Sequence, residues 1–282
     1  MNLADWLRYG AVQLGSGPHP ERAQRDAEFL LMHLIERNRA YLIAHPEAEL
    51  EAGVADRYSA LIERRFAGEP IQYIVGECEF YGLPFRVTRD VLIPRPETEH
   101  LVEKTIQLAA KFDKPRIVDI GTGSGAIAVA LARLLPSAQI TAIDLSAAAL
   151  HVARANAEHN GVAERIRFVE GDLFAPVAGE FFNIAVSNPP YVPENDRNTL
   201  SVEVREHEPE LALFAGADGL EVYRRMIPAA RSAVVPGGFL ALEIGFGQAA
   251  GVAALLARSG FEQIELTADL QGIDRVVTCR NH

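Results

Sequence analysis

The sequence predicts an α/β protein: a mostly parallel sheet with helices on both faces, preceded by a small all-helical region and joined to it by a β-hairpin. Three observations carry this. Apolar residues recur at three- and four-residue spacing through residues 3–67, as buried helix faces require. Two short β-rich runs flank Gly82-Leu83-Pro84, as in a hairpin. From residue 116 onward, strand-like and helical runs alternate, the pattern of a sheet with crossover helices. The chain's 282 residues, 49% of them apolar, can fill one large domain or a medium and a small one. The divisions read at 1–75, 76–92 and 93–282.

In the helical region, Ala23, Ala27, Leu30, Leu31, Leu34 and Ile35 form one face, and Pro20 sits where a helix can start. Val54, Tyr58, Leu61, Ile62 and Arg65 continue the spacing in a later helix that Gly68 and Pro70 close. The hairpin runs are Glu77–Tyr81 and Phe85–Thr88, and a helix is expected from about Glu97 to Phe112. Strands are read at Arg116–Ile120, Gln139–Asp144, Ile166–Glu170, Phe182–Ser187, Gly238–Ile244, Phe261–Thr267 and Arg275–Arg280. Helices are read at Ala126–Leu135, Ser146–Asn160, Gly219–Val234 and Gln248–Ser259, with Ser146 as an N-cap. Ligands of such sheets bind beyond the carboxyl ends of the strands.

Four segments at those ends carry candidate chemistry. Gly121-Thr122-Gly123-Ser124-Gly125 follows a strand and opens a helix, so its backbone can approach a ligand with no Cβ in the way. Asp144 ends the next strand and can accept ribose hydroxyls, although it also suits the start of the Ser146 helix. Asp172 and Leu173 end the third strand; the carboxylate can take an adenine amino group while Leu173 packs on the ring. These features fit a nicotinamide cofactor and S-adenosylmethionine alike, and the fourth strand decides. It runs into Asn188-Pro189-Pro190-Tyr191. An amide nitrogen is a poor nucleophile because its lone pair is delocalised. The Asn188 oxygen and the Pro189 carbonyl can accept both N–H bonds and aim the nitrogen at a sulfonium methyl. Two prolines stiffen the loop, and Tyr191 offers a flat face to a planar group. The expected chemistry is methyl transfer to an amide or exocyclic amine nitrogen.

Bulk properties narrow the acceptor. A net charge of −11 counts against a phosphate backbone as ligand and suits a basic protein partner. Cys78 and Cys279 lack a metal-ligand spacing, so no metal is expected. The N-terminus has no basic stretch leading into an apolar run, and no apolar stretch reaches the roughly 18 residues of a membrane span. The expectations are a cytoplasmic monomer with no membrane and no direct nucleic-acid partner.

Over nearly its whole length the chain resembles the protein-(glutamine-N5) methyltransferases, the HemK/PrmC-type enzymes that modify peptide chain release factors. The resemblance rests on Glu79–Gly82, Leu92-Ile93-Pro94-Arg95-Pro96-Glu97-Thr98-Glu99, the Asp119–Gly125 loop, Ser187–Tyr191, the stretch from Glu208-Pro209 to Gly219-Leu220, and that from Pro236 to Gly245. It implies a class I S-adenosylmethionine-dependent methyltransferase fold, Rossmann-like, with seven strands and a reversed final pair. It implies S-adenosyl-L-methionine as cofactor, S-adenosyl-L-homocysteine as product and the glutamine of a release factor's Gly-Gly-Gln motif as acceptor. Gly121–Gly125, Asp144, Leu173 and Asn188 would contact the cofactor, Asn188–Tyr191 would hold the glutamine, and the helical region would grip the release factor. Leu173 departs from relatives that carry an aromatic there. Phe80 is expected near the glutamine or the cofactor, with hairpin core as the alternative. Arg95 is a further candidate, Glu97 is expected to offset cofactor charge or to start a helix, and Glu243 reads as structural. A ribosomal-protein glutamine, an adenine N6 in nucleic acid and a non-catalytic cofactor-binding module remain as other readings.

Overall fold

The structure is a computed structural model describing residues 1–282. In chain order its helices are α1 (Leu3–Leu14), α2 (Ala23–Ile35), α3 (Arg39–Ala44), α4 (Ala52–Phe66), α5 (Ile71–Val75), α6 (Glu99–Ala109), α7 (Ala126–Leu134), α8 (Ala147–His159), α9 (Val202–His207), α10 (Glu221–Ala233) and α11 (Ala249–Arg258). Its strands are β1 (Glu77–Phe80), β2 (Leu83–Arg86), β3 (Arg116–Ile120), β4 (Gln139–Asp144), β5 (Ile166–Glu170), β6 (Phe182–Ser187), β7 (Val234–Glu243), β8 (Phe261–Ala268) and β9 (Asp274–Asn281). No helix is long and apolar enough to cross a membrane.

Two compact units form. One holds Met1–Gly76 together with Leu200–His207, the other Glu77–Thr199 and Glu208–His282. The sequence division keeps residues 93–282 together, whereas the structure groups Leu200–His207 with the helical unit. The helical unit is organised around Leu3, Leu30, Leu31, Tyr58 and Ile62, all buried. Tyr58 donates its hydroxyl to the Ala27 carbonyl at 3.0 Å. Arg65 lies on the face that the sequence pattern marks as buried, and its side chain is 3% exposed. A buried cation needs compensation. Arg65 donates to Asp26 at 2.6 Å and forms a 2.6 Å ion pair with Glu203, so a distant segment supplies half of the counter-charge.

In the second unit the hairpin turns on Tyr81 and Gly82, with φ of 53° and 70°. A two-residue turn of this hand needs positive φ at both positions. Leu83 and Pro84 therefore lie in β2, which begins two residues earlier than the sequence pattern suggests. The expected 97–112 helix starts as a 3-10 turn at Pro96–Thr98 and continues as α6. The large sheet has the order β5-β4-β3-β6-β7-β9-β8. Of the final pair only β9 runs against the rest, since it is antiparallel to both β7 and β8.

Alternation along the strands shows why both sheet faces are covered. Ile117, Ile184, Val186 and Ala241 join α6 and α7 in one core. Val118, Ala185, Leu240 and Leu242 join α10 and α11 in the other. Successive strand residues point to opposite faces, and here both sets are apolar. The carboxyl ends of β3, β4, β5 and β6 consequently emerge along one edge of a rigid layer.

Candidate active site

The β3–α7 loop is shaped by its backbone. Gly121, Gly123 and Gly125 have φ of 70°, 56° and 80°, a region that side chains with a Cβ populate at a penalty. Gly121 and Thr122 donate their N–H groups to the Ile143 carbonyl at 2.8 and 2.9 Å, pinning the loop to the end of β4. A Cβ on Gly125 would lie 3.1 Å from that of Ala153, so α7 and α8 meet closely here. Asn156 of α8 is fully buried. It donates to the Ser124 carbonyl at 2.8 Å and to Arg86 at 3.0 Å, and accepts from the Arg86 N–H at 2.7 Å. One asparagine thus braces the loop against the hairpin, a role with no local sequence signal.

Asp144 serves the start of α8 and still faces a cavity. Its carboxylate accepts the Gly123 N–H at 2.8 Å and the Ser146 N–H at 2.9 Å. Each oxygen keeps a further lone pair for a hydroxyl. Burial raises its pKa, opposed by the N–H groups of Ser146, Gly123 and Leu145. Asp119, fully buried at the end of β3, accepts the Thr122 hydroxyl at 2.6 Å, while its other oxygen has no partner. Burial pushes its pKa up to about 7, the Thr122 bond opposes that rise and the Asp144 charge adds to it. The acids on the cavity wall, Asp144, Asp172, Glu194 and Glu221 among them, outnumber its two arginines, Arg95 and Arg225, which makes a cationic ligand the natural charge complement.

The front of the β3–α7 loop and Asp144 face this one cavity of about 440 Å³, within the usual range of roughly 300–1,000 Å³ for small-ligand sites. Gly121–Ser124, Asp144, Asp172, Leu173 and Asn188–Pro190 all line it, as do Arg95 and Thr98. Leu173 takes a left-handed φ of 49° and is partly buried against the α10 side of the core. Asp172 is ion-paired with Arg225 of α10. The residues fit S-adenosyl-L-methionine: a glycine-walled pocket, a carboxylate suited to ribose hydroxyls, an apolar contact at Leu173 and net negative charge toward a sulfonium.

The acceptor side is built from side chains distant in sequence. Ser187 donates its hydroxyl to the Ile120 carbonyl at 2.6 Å and ties the end of β6 to β3. Asn188 donates Nδ2 to Thr98 Oγ1 at 3.0 Å. Thr98 donates to Glu243 Oε2 at 2.6 Å, and Tyr191 donates to Glu243 Oε1 at 3.4 Å. Gln248 donates Nε2 to the Tyr191 carbonyl at 2.9 Å. Burial pushes Glu243 up to about 7 and raises Tyr191. Arg95 donates to Glu208 at 2.6 Å.

Two of the expected residues stand outside the cavity lining, Phe80 in its alternative place. Phe80 is 2% exposed and stacks edge-on with Phe85 at 6.0 Å in the hairpin core, away from the cavity lining. Tyr191 does not wall the cavity; its ring is partly buried against the α10–α11 core and its hydroxyl turns to Glu243. The sequence marks Thr98 at a helix start and Glu243 as structural, but nothing there joins them to Asn188. Thr98 sits inside a motif read as a helix start, and Glu243 is a lone acid in an apolar strand. That isolation was the available signal, because a fully buried acid requires partners.

Comparison with known proteins agrees with this geometry. The PrmC N-terminal domain family matches residues 5–76 and the methyltransferase small domain family matches residues 98–205. A release factor glutamine methyltransferase of Geobacter sulfurreducens is 42% identical over 98% of this chain and 94% of its own length. Those of Deinococcus radiodurans and Chlorobaculum tepidum are 42% and 45% identical, over 99% and 90% of this chain and 99% and 88% of their own. Among solved structures, the hMettl16 catalytic domain in complex with MAT2A 3'UTR hairpin 1 superposes with a TM-score of 0.60 at 14% identity, covering 90% of each chain. A methyltransferase from Pyrococcus furiosus gives 0.53 at 17% identity over 80% of this chain and 98% of that one. At such identities these two show the fold alone. The near-full-length identity to the curated enzymes shows more: this chain belongs to the release factor glutamine methyltransferase family.

Proposed function

We propose that this protein transfers a methyl group from S-adenosyl-L-methionine to the side-chain amide nitrogen (N5) of the glutamine in the Gly-Gly-Gln motif of a peptide chain release factor. The observation that carries the reading is the meeting of Asn188-Pro189-Pro190 with the glycine loop and Asp144 in one cavity. The helical unit, with the hairpin as the segment after it, would serve to recognise the release factor.

Bound S-adenosyl-L-methionine supplies an electrophilic methyl on sulfur and leaves as S-adenosyl-L-homocysteine. Gly121–Ser124, Asp144, Asp172 and Leu173 would hold it, with Gly125 shaping the loop. Asn188 Oδ1 and the Pro189 carbonyl accept the two N–H bonds of the glutamine amide, which draws its lone pair toward the methyl side. As the nitrogen gains positive charge these two acceptors bind it more tightly, so they favour the transition state over the ground state. The extra proton on nitrogen is lost to solvent afterwards, so no strong base is needed. Pro189 is buried and Asn188 half-buried, which limits competing water.

The test is transfer of labelled methyl to a release factor and to its Gln→Ala variant in the Gly-Gly-Gln motif. Label on the first and none on the second supports the reading. Equal labelling of both moves the target elsewhere.

A further inference from the structure

Asparagine amides have two ends of nearly equal shape and opposite polarity, and only their partners decide which end faces a ligand. In this cavity the decision is made two bonds away from Asn188. An ionised carboxylate can only accept. The Thr98 hydroxyl has one proton, and the 2.6 Å contact commits it to Glu243 Oε2. Its oxygen is then left as an acceptor, and only the NH₂ end of Asn188 can meet it, at 3.0 Å. Thr98 is 4% and Glu243 2% exposed, so bulk water offers neither an easy substitute partner. Glu243 also receives the Tyr191 hydroxyl. One carboxylate on β7 therefore holds the first residue of the tetrapeptide through Thr98 and the last directly.

We propose that Glu243 and Thr98 are positioning residues that lock the polarity of Asn188, so that the loop presents an oxygen, and not an NH₂ group, to its acceptor. This rests on the reading of Asn188 as the residue that holds the substrate amide. The lock explains selection of a primary amide over a carboxylate. A glutamine side chain brings two N–H donors to the Asn188 oxygen. A glutamate side chain in its place brings only oxygens, leaving the site's acceptor unpaired.

The lock depends on charge at Glu243. The groups facing this carboxyl are Thr98 and Glu97 of the 3-10 turn, Tyr191 of the loop after β6, and Arg275 of β9. Tyr223 of α10 donates to its backbone carbonyl at 2.7 Å. Burial raises the carboxyl to about 7; Glu97 adds to the rise, and Thr98, Arg275 and Tyr191 oppose it. Once protonated, Glu243 can donate to Thr98, which frees the Thr98 proton for an Asn188 oxygen and favours the flipped amide. The lock is therefore set above pH 7 and loosens below it.

The experiment compares wild type with Thr98→Val, Thr98→Ser and Glu243→Gln. In ¹⁵N-labelled protein without ligands, the Asn188 side-chain NH₂ signals should shift with pH around a midpoint near 7. That shift should vanish in Glu243→Gln. Thr98→Val, which keeps the volume and loses the hydroxyl, should lower kcat by about 10-fold or more. Calorimetric affinity for S-adenosyl-L-homocysteine should stay within about 3-fold, and Thr98→Ser should restore kcat. Asn188 signals that do not move between pH 6 and 8, or Thr98→Val losing cofactor affinity as much as turnover, would overturn the proposal. The resonance measurement needs no methyl acceptor. An enzyme that fails to label any release factor would defeat the functional reading while the lock still shows in the spectrum.

Discussion

The two halves of the cavity are built by different means. The cofactor half is made of backbone: three glycines at positive φ, N–H groups tied to the end of β4, and one carboxylate held by two further N–H groups. The acceptor half rests on side chains: Asn188 and Thr98 in the wall, with Glu243, Tyr191 and Gln248 behind them, drawn from four places in the chain. Backbone shape follows from local sequence and tolerates exchange of neighbouring side chains. A side-chain relay fails when any one member is lost. Substitutions in the acceptor half should therefore act on turnover, and those in the cofactor half on affinity and stability.

The largest expected effect separates the halves directly. Asn188→Ala should lower kcat by about 10²- to 10³-fold, the range for removing one acceptor from a preorganised site. Affinity for S-adenosyl-L-homocysteine should fall far less. Parallel losses of both would place Asn188 in the cofactor half. Next, Asp144→Ala should weaken S-adenosyl-L-homocysteine binding by about 10- to 100-fold, the scale of a hydrogen bond to a charged group. Its kcat at saturating cofactor should change less than that. A variant with unaltered affinity would show that Asp144 serves only as the start of α8.

Smaller effects concern stability. Gly125→Ala forces a Cβ into a left-handed residue packed on Ala153, and urea unfolding should report a loss of about 1–2 kcal/mol. Asp119 gives a change visible only as a slope of stability against pH. Its folded pKa, about 7, lies above the ordinary carboxylate value. Between the two the folded chain holds a proton that the unfolded chain has released, so stability falls as pH rises through that window. The contribution is on the order of 1 kcal/mol per pH unit. Asp119→Asn should flatten the decline between about pH 4 and pH 7; an unchanged slope would contradict the assignment.

The same contrast governs what was legible in the sequence. Gly121–Ser124, Asp144, Leu173 and Asn188-Pro189-Pro190 could be found because strand ends and turn residues are written contiguously, and the structure gathers them in one cavity, with Gly125 packed behind on Ala153. The strand and helix alternation was legible for the same reason. Thr98 and Glu243 lie 145 residues apart, and no period or motif links them. Tyr191 was assigned to the cavity by its flat ring and Phe80 through the resemblance, with the hairpin core as its alternative, yet side-chain direction follows from the pleat and the packing partner. The hairpin puts Phe80 on Phe85, and the buried Glu243 carboxylate draws in the Tyr191 hydroxyl. The Arg65 ion pair with Glu203 was hidden likewise, since its partner segment arrives from beyond the catalytic loop.

The central claim is that this cavity delivers a methyl group to one planar amide. Its most direct test is mass-spectrometric localisation after reaction of the purified protein with labelled S-adenosyl-L-methionine and a release factor, with a ribosomal protein and DNA in parallel. The expected result is one methyl on the side-chain nitrogen of the Gly-Gly-Gln glutamine. A methyl found only on DNA, or only on the ribosomal protein, would contradict it.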